Sequence, residues 1–158
     1  MNNIIDIRHL KKYFKDIHAV DDVSFRVKEG ELFAFLGLNG AGKSTTISIM
    51  CGQLLKDGGS VTIDGYDIDS HSNRIKEQLG IVFQNSVLDE LLTVRDNLKT
   101  RAALYGIIGE DYRRRLEALS GLLHLQDLLK RPVGKLSGGQ RRRVDIARAL
   151  LHGPRILI

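Results

Sequence analysis

The chain has 158 residues, 42% of them hydrophobic and 27% charged, which is the length and balance of one soluble globular domain. No stretch approaches the roughly 18 apolar residues of a membrane-spanning helix, and no charged-then-apolar leader opens the chain, so we expect no direct membrane insertion. The single cysteine, Cys51, excludes an internal disulfide and fits a reducing compartment such as the cytosol, where we expect it to pack rather than react.

The formal net charge of +5 raises the question of nucleic-acid binding. The positive residues gather in two runs of three arginines, at 113–115 and 141–143, with no aromatic residues among them. We interpret both runs as solvated helix faces and do not expect a nucleic-acid partner. An acid-rich continuation of the protein would also lower this balance.

In chain order, the first part of the sequence alternates strand and helix patterns. Residues 4–7 and 23–27 predict strands. The continuous apolar run at 32–36 predicts a strand buried on both faces of a sheet, and residues 44–51 predict a helix. Three short elements follow: a strand at 61–63, a helix at 74–78 and a strand at 81–83 that ends on Gln84.

The middle of the chain predicts helices only. Thr93 and Asp96 have capping-box spacing, with a shorter acid in place of Glu or Gln, and open a helix to about Tyr105. Further helices are expected at 111–123 and near 126–130, before Pro132 and Gly134 interrupt the pattern. A last helix at 141–151 precedes the beginning of a strand at 155–158.

Residues 37–44 fit the phosphate-loop pattern of Gly, four residues and Gly-Lys-Ser. Its glycines let backbone N–H groups point at phosphate oxygens, and the following helix adds its positive dipole end. Lys43 would reach the β- and γ-phosphates, and the Ser44 hydroxyl would ligate Mg²⁺. The alternative is a glycine-rich turn, but the strand before and the helix after favour a site for nucleotide phosphates. Its predicted residues are Gly37, Leu38, Asn39, Gly40, Ala41, Gly42, Lys43, Ser44 and Thr45.

A second motif reads Leu-Ser-Gly-Gly-Gln at residues 136–140. Ser137 followed by Gln140 forms a capping box that opens the next helix. Capping does not need two glycines in the first turn, where glycine weakens a helix. Bare backbone there suits the close approach of an anion to exposed N–H groups, and the two interpretations are compatible.

Together the two motifs resemble the ATP-binding cassette (ABC) family, and the resemblance covers the whole chain. It implies an α/β P-loop NTPase fold with a RecA-like core, an N-terminal antiparallel β subdomain and an inserted α-helical subdomain. Residues 1–84 would be the β subdomain and P-loop core, and residues 85–135 the helical subdomain. Residues 136–158 would hold the signature motif, its helix and the start of the Walker B strand.

The resemblance also assigns roles to residues outside the P-loop. Such subunits hydrolyse ATP as head-to-tail dimers, either of identical or of homologous subunits. In them, Ser137, Gly138, Gly139 and Gln140 would contact the γ-phosphate of ATP held by the other subunit. Gln84 is similar to the Q-loop glutamine, an accessory residue that contacts Mg²⁺ or the attacking water. Tyr13 is similar to the aromatic that stacks on adenine, although Phe14 could compete and either could be core.

In related ATPases the catalytic acids follow the strand that begins at Arg155, so they would lie beyond Ile158. We therefore expect the C-terminal part of the core to be missing, no catalytic residue within the chain, and a piece that is poorly stable alone and binds ATP without hydrolysing it. The parent protein would be the ATP-binding subunit of an exporter for drugs, polysaccharides or lipids. It would lie at the cytoplasmic face of the membrane through a permease partner.

Two other functions remain open at this point. One is a nucleic-acid-acting ATPase of the same superfamily, although residues 85–135 lack the heptads of its chromosome-type members. The other is a module that binds nucleotide without turnover. Residues 92–98 resemble the start of the helical subdomain that faces the permease in transporters, but they also fit an ordinary capped helix.

Overall fold

The structure, a computed structural model, describes residues 3–158. They form two compact units, one that ends at Gln78 and one from Leu79 to Ile158. No helix of the described residues is long and apolar enough to cross a membrane. The three-part division expected from the sequence stays a prediction.

The first unit is built on an antiparallel sheet with the strand order β2-β1-β3-β4. Its strands are β1 (Asn3–Phe14), β2 (Ile17–Lys28), β3 (Gly58–Ile63) and β4 (Tyr66–Asp67). Two helices belong to the unit: α1 (Lys43–Met50) and α2 (Ile68–Gln78), which is kinked at His71. The expected N-terminal antiparallel sheet is confirmed, with strands longer than the sequence pattern indicated.

Alternation along the central strand explains how this sheet acquires a core. Ile5 and Ile7 of β1 lie opposite Ile63 and Val61 of β3. All four are at most 5% exposed, because every second side chain of a strand points to the same face. Cys51, which follows α1, is also buried, and burial raises the pKa of its thiol to about 11. The cysteine therefore packs as a small apolar residue, as expected.

The expected strand at residues 32–36 is wrong for this structure, since no strand forms there. Phe33 and Phe35 pack against Phe25 of β2, with ring centroids 5.1 and 5.3 Å apart. Leu32 and Leu36 are 99% and 88% exposed. A strand needs neighbouring backbone for its N–H and C=O groups, and no strand among residues 3–158 pairs with this run.

The second unit is mainly helical. Its helices are α3 (Val94–Ala103), α4 (Gly109–Leu123) and α5 (Gly138–Leu150), with 3₁₀ turns at Gln126–Leu128 and Val133–Lys135. Side chains from all three helices meet in one buried cluster that includes Leu98, Leu116 and Val144. The expected helices are thus present, with ends that differ by a few residues.

A short parallel strand pair completes the second unit. β5 (Leu79–Gly80) pairs with β6 (Ile156–Leu157). The strand expected at 81–83 therefore begins and ends two to three residues earlier, although the Val82 N–H still donates to the Ile158 carbonyl at 2.7 Å. The pairing is regular only where residues 79–80 face residues 156–157.

Candidate nucleotide-binding site

The glycine-rich loop of the first unit ends at the N-terminus of α1. Gly42 is the N-cap residue of this helix, and its φ of 76° lies in the left-handed region. A Cβ added at Gly42 would clash with the carbonyl oxygen of Ala19 in β2. Only glycine lets the chain pass so close to β2 and turn into the helix.

Helix α1 begins without a capping side chain and without an acid in its first turn. The first intrahelical bond runs from the Thr46 N–H to the Gly42 carbonyl at 2.8 Å, so the preceding N–H groups have no carbonyl one turn back. Helices α3 and α5, in contrast, are capped by Thr93 and Ser137, and α4, which also lacks a capping side chain, has two acids in its first turn. Uncapped N–H groups at the positive end of a helix dipole fit a phosphate group.

The Lys43 ammonium is held inside the loop. Its Nζ donates to the carbonyl oxygens of Gly37 and Leu38, each at 2.6 Å. An ammonium has three donors, which leaves one for an incoming oxygen. The next residue, Ser44, is exposed and offers a hydroxyl oxygen, a type of ligand that Mg²⁺ accepts. The residues present therefore fit a nucleotide phosphate with its Mg²⁺.

Tyr13 lies on the part of the sheet that adjoins this loop. The strand register places it opposite His18, the neighbour of Ala19, and the two rings are 4.4 Å apart. Its N–H donates to Asp57 at 2.7 Å and its hydroxyl donates to Asp21 at 3.2 Å. Phe14 is 46% exposed at the end of the same hairpin. Contact of Tyr13 with adenine stays a prediction, since its ring is engaged with the sheet here.

In the second unit, the capping box at the start of α5 is confirmed. The Gln140 N–H donates to Ser137 Oγ at 3.3 Å, and the Ser137 N–H donates to Gln140 Oε1 at 3.0 Å. Gly138 and Gly139 are exposed, and a Cβ at either would meet nothing within 4 Å. The packing of this chain does not require glycine at these positions, which favours access for an external group.

Backbone pairing fixes the loop that precedes α5. The Gly134 N–H donates to the Glu90 carbonyl at 2.9 Å, and the Val133 N–H to the Leu92 carbonyl at 3.0 Å. Arg141, in the first turn of α5, forms an ion pair with Glu90 at 2.8 Å. These contacts hold the signature motif against residues 90–92.

The capping box expected at Thr93 is only half formed. The Asp96 N–H donates to Thr93 Oγ1 at 3.2 Å, but the Asp96 carboxylate accepts the Thr93 hydroxyl at 2.6 Å instead of the Thr93 N–H. The shorter acid does not reach back to the N-cap backbone. The first N–H of α3, from Val94, donates instead to the Arg131 carbonyl at 3.0 Å.

The solvated faces expected of the two arginine runs are only partly present. Arg113 and Arg114 form surface ion pairs within α4 and are 75% and 76% exposed, as expected. Arg115 is half-buried instead and donates to the Leu151 carbonyl at 3.2 Å.

In the second run, Arg142 is exposed but donates to the Phe83 carbonyl at 2.6 Å, and Arg143 is half-buried and donates to the His124 carbonyl at 3.0 Å. The expectation is therefore wrong for Arg115 and Arg143. The acceptors are backbone carbonyls remote in sequence, which no local pattern indicates.

The sequence-predicted residues fall into two groups. The P-loop and Tyr13 belong to the first unit, whereas Gln84 and the signature motif belong to the second. Gln84 is exposed, directly after the segment that α5 holds. The sequence patterns do not indicate that α5 contacts this segment through the Arg142 side chain, which donates to the Phe83 carbonyl.

Comparison with known proteins identifies the class. A family model described as ABC transporter matches residues 20–158. The solved structure of cbiO1 from Clostridium perfringens, described as part of the ABC transporter complex cbiONQ, has a TM-score of 0.88 and 30% identity, covering 99% of this chain and 64% of that one. The chain belongs to the ABC transporter family and has the fold of its ATP-binding domain.

Two curated relatives have names that mention export or resistance. Over 155 residues the chain is 35% identical to the Nod factor export ATP-binding protein I of Ralstonia nicotianae, which covers 98% of this chain and 48% of the relative. It is 36% identical to the linearmycin resistance ATP-binding protein LnrL of Bacillus subtilis, with 98% and 50% covered. The chain spans about half the length of the curated relatives it matches.

Proposed function

We propose that this chain is the nucleotide-binding part of an exporter-type ABC transporter subunit and binds MgATP on residues 37–45. The observation that carries the proposal is the uncapped start of α1, with the Lys43 ammonium held beside it. The relatives named for Nod factor export and linearmycin resistance support the export branch. The transported substrate would belong to the drugs, polysaccharides or lipids expected of this branch.

Within the loop, each group has a distinct task. The N–H groups at the start of α1 bind phosphate oxygens, and Lys43 adds a charged donor to them. Mg²⁺, when bound, neutralises charge on the β- and γ-phosphates. Ser44 would be its ligand in the loop, and Gln84 is proposed as a second contact to the metal or to the attacking water.

The signature motif would act on the nucleotide of another subunit. We propose a head-to-tail dimer in which Ser137 and the bare backbone of Gly138 and Gly139 approach the γ-phosphate of ATP bound to the partner. The full-length protein would hydrolyse ATP in this dimer and drive a permease at the cytoplasmic face of the membrane. Two exposed glycines that packing does not require support this part of the proposal.

Binding of ATP to the full-length protein, with and without Lys43, tests the site. For Lys43→Ala we expect ATP affinity to fall about tenfold or more, because a charge-assisted bond to phosphate is lost. Fold stability should change little, since Nζ contacts only loop carbonyls. Lys99→Ala, at an exposed position of α3, is the control. Unchanged affinity in Lys43→Ala, or salt-sensitive DNA or RNA binding in its place, would contradict the proposal.

A further inference from the structure

Helix α5 binds the chain on both sides of Gln84. Arg142 Nη1 donates to the Phe83 carbonyl at 2.6 Å, and the Ser86 hydroxyl donates to Asp145 Oδ1 at 3.0 Å. Further along the helix, Arg148 Nη2 donates to the Ile81 carbonyl at 2.7 Å. The three helix residues follow one another at intervals of three and therefore share a face of α5.

Two of these helix residues are charged and buried, and burial of a charge costs free energy of folding. Asp145 is 5% exposed and Arg148 is 7% exposed. Burial lowers the pKa of Arg148, an effect that Asp145 opposes. Apolar residues of similar size often stabilise such positions as well or better. The charges are better explained by the geometry that they impose on residues 81–86 than by stability.

The side chain of Gln84, unlike Phe83 before it and Ser86 after it, is not hydrogen-bonded to α5. Gln84 is exposed, and among the described residues no hydrogen bond to its side chain is present, while the backbone before it and Ser86 after it are bound to α5. The helix that binds them begins at the signature motif. Because a helix of this length moves as a rigid element, displacement of its first turn would carry the Gln84 segment with it.

We propose that Arg142, Asp145 and Arg148 are positioning residues that fix the Gln84 segment to the signature helix. A phosphate that contacts Ser137 and Gly139 would thereby set the orientation of Gln84 in the same chain. The link to turnover rests on the proposed function. The anchoring itself does not.

Arg142 is the best residue at which to test the anchoring. It is exposed, so Arg142→Gln removes the bond to Phe83 without leaving a cavity or a buried charge. Arg143→Gln is the matched control, because this neighbouring guanidinium donates instead to the carbonyls of Leu123 and His124. Arg142→Lys keeps a charged donor and should restore part of the effect.

The mobility of a spin label next to Gln84 tests directly whether α5 immobilises this segment. A nitroxide would be attached to Asn85→Cys in the full-length protein after replacement of any other exposed cysteines. Cys51 would not compete, since it is buried and its thiol has a pKa of about 11. We expect greater label mobility in Arg142→Gln, an intermediate value in Arg142→Lys and the wild-type value in Arg143→Gln. Equal mobility in Arg142→Gln and the wild type would overturn the inference.

A double-mutant cycle tests the link to turnover. Arg142→Gln should lower kcat about fivefold, the equivalent of one hydrogen bond, with the Kd for ATP unchanged. If Arg142 acts through Gln84, adding Arg142→Gln to Gln84→Ala should cause no further loss. If the wild type is active and the double variant loses the product of the two single losses in kcat, this inference alone is contradicted. Absence of turnover in the wild type would contradict the proposed function, and label mobility would still decide the anchoring.

Discussion

At the level of single residues, the two motifs contain glycine for different physical reasons. Gly42 combines a left-handed φ with close contact to Ala19, so the fold itself requires it. Gly40 has a φ of 86° but open space around it. Gly138 and Gly139 have open space as well, and neither has a positive φ. Substitution can therefore separate the demands of folding from the demands of binding.

Alanine at Gly42 and Gly40 should have unequal effects on stability. Both substitutions incur the left-handed strain of about 1–2 kcal/mol, and only Gly42→Ala adds a clash with backbone. We expect Gly42→Ala to lose at least about 1 kcal/mol more in the free energy of unfolding. Urea unfolding of the two variants, in the absence of nucleotide, measures this difference. Equal losses would show that the contact with Ala19 is unimportant.

The side chain of His152 makes the free energy of unfolding depend on pH. Its ring stacks on Tyr105 at 4.1 Å, and its Nε2 lies 3.1 Å from the Leu79 carbonyl, which makes Nε2 the protonated nitrogen. Among residues 3–158, Nδ1 is buried and has no hydrogen-bond partner. Burial, with the nearby charges of Arg101, Arg115 and Arg148, lowers the pKa of His152 below 6.5.

Stability should therefore fall in mild acid. Below pH about 6.5 the unfolded chain gains a proton on His152 that the folded chain does not bind, so the free energy of unfolding decreases until the lowered folded pKa is reached. His152→Gln should flatten this part of the pH profile relative to the wild type. Denaturant titrations between pH about 7.5 and about 5.5 provide the comparison. A variant slope equal to that of the wild type would rule out this role.

At the scale of elements, the two helices that begin at the motifs differ in how their first turns are satisfied. Helix α1 leaves its first N–H groups open. Helix α5 is capped by its own Ser137, which occupies the Gln140 N–H and leaves the glycine backbone exposed. Ser137 therefore has two possible tasks, as a cap and as a contact for phosphate.

Ser137→Asp separates these two tasks. Aspartate is as good an N-cap as serine, so stability should be retained, whereas Ser137→Ala should cost about 1 kcal/mol. The added carboxylate repels a phosphate, so we expect turnover of the full-length protein to fall in Ser137→Asp by about tenfold or more. Thermal unfolding and ATPase rates measure the two effects. Full turnover in Ser137→Asp would leave only the capping role.

At the scale of the whole molecule, local signals predicted the features that depend on near neighbours. The turn into α1, the capping box at Ser137 and each helix were predicted because spacing, caps and apolar periodicity act within a few residues. The strand predicted at residues 32–36 does not form, because burial of an apolar run depends on which strands lie beside it. The contacts of Arg142 and Arg148 were missed because a backbone carbonyl leaves no trace in a side-chain pattern.

We propose that the P-loop of one subunit and the signature motif of another form one ATP site. Mixing full-length Lys43→Ala with full-length Ser137→Asp tests it most directly, since each homodimer carries two defective sites. A mixed dimer would combine an intact P-loop from the Ser137→Asp subunit with an intact signature motif from the Lys43→Ala subunit. We predict that ATPase activity, absent or low in each variant alone, reappears on mixing. If mixing restores no activity while both variants still form dimers, the head-to-tail account is contradicted.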